Sequence, residues 1–157
     1  MGWIRHRTAL VLLLAVLGWS YVQSQQSSQS RVLVLIDSPT VKETHSDFLS
    51  SLEKRGHQLD VRMADDASLA LSKFGKPLYE HLILLAPSVE EFGGSVSVAE
   101  IASFIDAGGN VVVTGGQNLG EAIRDLATEV GFEFDDSSTA VIDHNNWDSK
   151  LVSSRYK

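Results

Sequence analysis

The 157-residue sequence contains no cysteine. Disulfide staples, a thiol nucleophile and thiolate metal sites are therefore excluded, and stability must come from a packed core. There is no Asn-x-Ser/Thr triplet either, so the chain carries no N-glycan acceptor of its own. After the first two dozen residues no further apolar run approaches the roughly 20 residues that a membrane-spanning helix needs. No basic patch stands out: 20 acidic residues face 13 basic ones, for a formal net charge of −7. That balance argues against a nucleic-acid partner.

The most informative stretch is the amino terminus. Met1–Arg7 carries Arg5 and Arg7, and Ala9–Trp19 (ALVLLLAVLGW) is an uncharged apolar run of 11 residues. Val22 and Ser24 then stand at the −3 and −1 positions of a cleavage site. A basic start, a short apolar stretch and small residues before the cut describe a cleaved secretory signal over residues 1–24. The run is too short for an ordinary membrane anchor. Without Arg5 and Arg7 the remaining 133 residues carry a net charge of −9. This is the size of one domain with a sizeable core.

Residues 25–30 are a polar linker, the end of the Gln23–Ser30 run QSQQSSQS. The domain proper is expected over residues 31–143, with an incomplete or divergent tail over 144–157. Val32–Ile36 (VLVLI) is continuously apolar, as a strand covered on both faces would be. Thr40 and Glu43 match a capping box ahead of a helix whose apolar face is Val41, Phe48, Leu49 and Leu52, ended by Gly56. Leu59–Met63 reads as a second strand. Asp65 or Asp66 caps a short helix over Ser68–Phe74, closed by Gly75. Leu82–Ala86 is a third strand. Ser97 and Glu100 form a second capping box before a helix with Val98, Ile101 and Ile105 on one face and Gly108 after its end. Val111–Thr114 is a fourth strand. Asn118 and Glu121 cap a last helix with Ala122, Ile123, Leu126 and Val130 inward and Gly131 at its close. Phe132–Phe134 and Ala140–Ile142 are short strand candidates. Strands alternating with helices predict an open, mostly parallel α/β sheet of flavodoxin-like, doubly wound order.

In such sheets ligands bind beyond the carboxyl ends of the strands. The candidates there are Asp37, Ser38, Ser88, Gly115 and Gly116. Asp37 lacks the companion carboxylates of a phosphoryl-accepting site, since the third strand ends in Ala86-Pro87, and reads better as a turn or cap residue. Gly115-Gly116-Gln117-Asn118-Leu119-Gly120 sits where a phosphate loop belongs, but Gln117 occupies the middle-glycine position of G-x-G-x-x-G, so a tight turn is favoured. Gly75-Lys76 lacks the earlier glycine of a P-loop, and Pro77 replaces its hydroxyl residue. Ser38, Ser88 and Ser95 have no G-x-S-x-G elbow. The histidines His6, His45, His57, His81 and His144 are scattered. Asp143-His144 with Asp148 suggests a metal less well than it suggests a polar loop. Asp65-Asp66 and Asp135-Asp136 read as solvated turns. No nucleophile, base and oxyanion site assemble, so no catalytic residue, metal or cofactor is expected.

Four stretches together carry a resemblance: RVLVLIDSPTVKETHSDFLSSLEKRGHQL, MADDASLALSKFGKPLYEHLILLAPSVEEFGG, IASFIDAGGNVVV and GFEFDDSSTAVIDHNNWD. They resemble the N-terminal lumenal region of the forty-eight-kilodalton subunit family of the oligosaccharyltransferase complex, over about Arg31 to Asp148. The resemblance implies a non-catalytic subunit of the endoplasmic-reticulum machinery that glycosylates asparagine, supporting assembly and stability. Transfer from the dolichol-linked donor would belong to a separate multi-span subunit. It also implies a three-layer, glutamine-amidotransferase-like fold without that fold's cysteine nucleophile, and partners among the other subunits. Family members continue to a C-terminal membrane helix, whereas here SKLVSSRYK follows Asp148, so a fragment or shortened form is expected.

The alternative function is a soluble secreted or lumenal ligand-binding α/β domain, taking nucleotide or sugar at Ser38, Ser88, Gly115 and Gly116. A serine hydrolase with an unrecognised site is a weaker third reading, testable with a fluorophosphonate probe. On translation into microsomes the chain is expected to be processed to begin at Gln25 and to be released by carbonate extraction. Resistance to carbonate without partner subunits would show that residues 1–24 remain as an anchor.

Overall fold

The computed structural model describes residues 29–136 and residue 139. The proposed signal, most of the linker, the strand expected over Ala140–Ile142 and the Asp143-His144…Asp148 loop lie outside the described residues. In chain order the elements are β1 (Arg31–Ile36), α1 (Thr40–Thr44), α2 (Ser46–Lys54), β2 (Gln58–Met63), β3 (Ser72–Lys73), β4 (Lys76–Pro77), β5 (His81–Leu85), α3 (Val98–Asp106), β6 (Asn110–Val113) and α4 (Glu121–Glu129).

The apolar run Val32–Ile36 becomes the centre of the sheet. Each of its five side chains is at most 2% exposed. β1 pairs in parallel with β2 on one side and with β5 on the other, Leu33 lying level with both Asp60 and Leu82. β5 pairs in parallel with β6, giving the order β2-β1-β5-β6. Alternation along β1 divides the core. Val32, Val34 and Ile36 pack with Ile83, Leu85 and Leu49, and with Val41 and Leu52 of α1 and α2. Leu33 and Leu35 pack with Leu82 and Leu84, and with Ile101, Phe104, Ile123 and Leu126 of α3 and α4. The expected α/β class and its four principal strands are therefore present, with helices on both faces.

Several local expectations fail for identifiable reasons. Thr40 does not cap the first helix. It is already helical, and the Ser38 hydroxyl bonds its side chain at 2.5 Å. The expected single helix is broken at His45 into α1 and α2. Thr44 Oγ1 donates to the carbonyls of Thr40 and Val41 at this break, the local back-bonding by which threonine competes with a regular helix. Phe48 points outward, 43% exposed. Ser97, in contrast, accepts from the Glu100 N–H at 3.1 Å as expected. The Glu100 carboxylate does not complete the box; it accepts from the Ser72 hydroxyl at 2.8 Å.

The helix expected over Ser68–Phe74 is not formed. Asp66 does cap locally, accepting from the Ser68 N–H and hydroxyl at 2.8 and 2.7 Å. Those bonds, with the Arg62 guanidinium at 2.6 Å, hold its carboxyl down at about 2. But Leu69 and Leu71 are buried under the sheet, and the chain then reverses as an antiparallel β3–β4 pair. The turn residues Phe74 and Gly75 both take positive φ, 53° and 73°. This is the left-handed pair that a two-residue hairpin demands, and Asn-Gly meets it with least strain. Phe74 is 93% exposed, so packing does not compensate it. Phe132–Phe134 forms no strand ladder, which corrects the expectation there. Phe74→Asn is expected to raise stability by about 0.5–1 kcal/mol by relieving the left-handed phenylalanine, read as a higher urea midpoint at unchanged slope.

Candidate functional site

Because every strand of the main sheet runs in the same direction, the loops after β1, β5 and β6 emerge at one edge. Asp37 and Ser38 follow β1, Ser88 follows β5, and Gly115-Gly116 follow β6. The Ser88 hydroxyl donates to the Asp37 carboxylate at 2.8 Å, tying two loops together. Ser38 is spent on Thr40. Gly115 and Gly116 belong to a separate cavity of about 720 Å³, lined also by Gln117, Asn118, Arg124, Phe134, Asp135, Asp136 and Thr139. The five sequence candidates thus fall into a linked pair, a locally engaged serine and a separate cavity wall rather than one site.

The charges around the cavity oppose an anionic ligand. The Glu121 N–H, at the start of α4, donates to Glu90 Oε2 at 3.1 Å. A carboxylate of the protein already fills the position that a phosphate takes at a helix amino terminus. Arg124, the cation of the cavity wall, donates to the Asp135 carbonyl at 3.0 Å. The glycines also differ from those of a dinucleotide loop. A Cβ on Gly115 would stand 3.6 Å from the Phe134 ring, and one on Gly116 would meet nothing within 4 Å. Gly120 is the position that requires glycine. Its Cβ would overlap the Val89 carbonyl, and its N–H donates to the Pro87 carbonyl at 2.9 Å. Gly120 also holds the cap position of α4, where Asn118 was expected, and the side chain that accepts from the first turn is Glu90.

Two imidazoles, those of His57 and His81, lie at the other end of the sheet. His57 shares a 2.5 Å hydrogen bond with Ser30, and His81 a 3.1 Å one with Asn110; their rings meet edge to face at 5.9 Å. His45 bonds Thr44. Among the described residues Ser88 has a carboxylate, not an imidazole, as its partner. Tyr79 also sits at the amino end, its hydroxyl donating to Asp60 at 2.6 Å. Burial first, and then Asp60, push its phenol up to about 12, so it stays neutral at physiological pH. Among the described residues no three of His, Asp and Glu are placed to hold a metal ion. Glu90 and Arg124 were not singled out from the sequence. Their contacts join segments 31 and 11 residues apart, and no local pattern marks them.

Comparison with known proteins decides the family. The model described as "OST48, N-terminal domain" matches residues 23–156. The chain belongs to this family. The match runs past Asp148, where the resemblance read from the quoted segments stops. This OST48-family chain is 52% identical over 143 residues to the dolichyl-diphosphooligosaccharide–protein glycosyltransferase 48 kDa subunit of Caenorhabditis elegans, covering 91% of this chain and 31% of that one. The Drosophila melanogaster subunit is 50% identical over 137 residues, 87% of this chain and 30% of the relative. The Danio rerio subunit is 47% identical over 141 residues, 90% and 30%. The OST48-family chain thus spans about 30% of the length of these relatives. Within its glycine-rich turn, Gly120→Ala is expected to lose about 1–3 kcal/mol through overlap with backbone. Gly116→Ala is expected to stay within about 0.5 kcal/mol of the parent, both read from denaturant unfolding.

Proposed function

We propose that this chain is a non-catalytic, structural domain of an oligosaccharyltransferase complex on the lumenal side of the endoplasmic reticulum. There it supports N-linked glycosylation of asparagine that another, multi-span subunit performs. The observation that carries this reading is identity of about 50% to 48 kDa subunits over about 90% of the chain. The sheet edge supports it, since Asp37, Ser38, Ser88 and Glu90 spend their polar atoms on loop and helix geometry. The strand order β2-β1-β5-β6 reads as 2-1-3-4 once the short β3–β4 pair is set aside, which supports a flavodoxin-like, glutamine-amidotransferase-like assignment. Among the described residues no helix is long and apolar enough to cross a membrane. Attachment to the membrane would then run through partner subunits or through a C-terminal helix of the kind found in longer family members.

Affinity capture of the tagged chain from microsomes tests this. Co-recovery with the catalytic subunit is expected. Recovery by a full-length 48 kDa subunit but never by this chain would assign the role to the longer form alone, and recovery by neither would overturn the proposal. A second reading, a lumenal ligand-binding domain, is favoured only by the cavity beside Gly115 and Gly116. Saturation-transfer NMR against glycans and nucleotides separates the two, and silence across the panel removes it.

A further inference from the structure

The β3–β4 hairpin carries features that work against the fold. Phe74, at its tip, is 93% exposed and has a φ of 53°. A bulky side chain in the left-handed region is strained, and such strain clusters at sites where function requires it. Lys73 and Lys76 stand directly opposite each other across the turn. Like charges so paired repel, and an opposite pair would close the hairpin better. The Lys73 ammonium lies 5.6 Å from the centre of the Phe74 ring, so cation and aromatic face form one unit. Every residue from Ser72 to Pro77 is exposed.

The stem, in contrast, is fixed. Leu71 is buried, and the Leu78 N–H donates to its carbonyl at 2.8 Å. The Ser72 hydroxyl donates to Glu100 of α3, and the Tyr79 hydroxyl to Asp60 of β2. The tip is therefore held out on a braced, two-residue turn. Little conformational freedom remains for it to lose on binding.

We propose that the Lys73–Lys76 tip docks into another protein subunit of the complex, in an apolar pocket the size of one aromatic ring, rimmed by carboxylates. The inference rests on the assembly role proposed above. Aromatic side chains buried in a partner's pocket are typical interface anchors. Acidic groups around the mouth complement the two ammonium groups beside Phe74. A bilayer fits these features less well. The chain's net charge of −7 opposes an anionic lipid surface, and two lysines contribute little there. A fluid surface also imposes no geometry that calls for phenylalanine in a left-handed turn.

Phe74→Asn separates binding from folding, because it is expected to stabilise the domain. In detergent-solubilised microsomes the tagged full chain with Phe74→Asn is expected to recover subunits of the complex at least about tenfold less well than the parent, and Phe74→Tyr to stay within about threefold of it. Lys73→Glu combined with Lys76→Glu is expected to lower recovery at low salt, with a deficit that narrows as salt rises. Undiminished recovery by Phe74→Asn would overturn the proposal and leave the assembly role standing. Failure of the parent chain to recover the complex would remove that role, and this inference with it. Phe74→p-benzoylphenylalanine gives an independent reading by photo-cross-linking in intact microsomes. A cross-link to one other subunit is expected. Cross-links only to lipid, to a second copy or within the chain, or none at all, would overturn the proposal.

Discussion

The burial of β1 on both faces is the constraint on which the rest depends. Five consecutive apolar side chains lose essentially all contact with water, each contributing about 1.5–3 kcal/mol relative to exposure. A strand so placed needs a neighbour along each edge and helices over each face. β2 and β5 supply the first, α1–α2 and α3–α4 the second. Parallel pairing in turn forces crossover connections, and these bring the loops after the strands to one edge. The place where a ligand would be sought is thus a consequence of how β1 is buried.

At that edge, side chains serve the fold. Asp37 and Ser88 join the loops that leave the two central strands, and Glu90 supplies the carboxylate at the start of α4. Gly120 allows the α4 entry to approach the β5 loop at van der Waals contact. The acidic wall and the engaged Arg124 leave the neighbouring cavity poorly matched to phosphate. A binding domain would hold polar groups in reserve at this position, whereas here they are committed. That arrangement accords with the structural role proposed above for this OST48-family chain.

How far local signals reached varied by element. Ser97 capped α3 as its spacing implied, because both partners belong to one turn of helix. Thr40 and Asn118 had the right residue type and failed, since Pro39 and Gly120 hold the cap positions of those helices. The segment Ser68–Phe74 had a cap and a terminating glycine but no helix, because burying Leu69 and Leu71 under the sheet required another path. Of the site candidates, the loops that hold Asp37, Ser38, Ser88, Gly115 and Gly116 were legible from strand ends alone. Their division into a linked pair, a local cap and a separate cavity wall was not.

By itself the sequence determined the α/β class, the four parallel strands and the family, since periodicity, continuous apolar runs and residue identity are properties of the chain read in order. Only the tertiary structure decided the β3–β4 hairpin, the break at His45 and the carboxylate of Glu90 at the start of α4. Each of those depends on which distant segment arrives at a given surface, and that is set by three-dimensional packing around β1 rather than by neighbours along the chain.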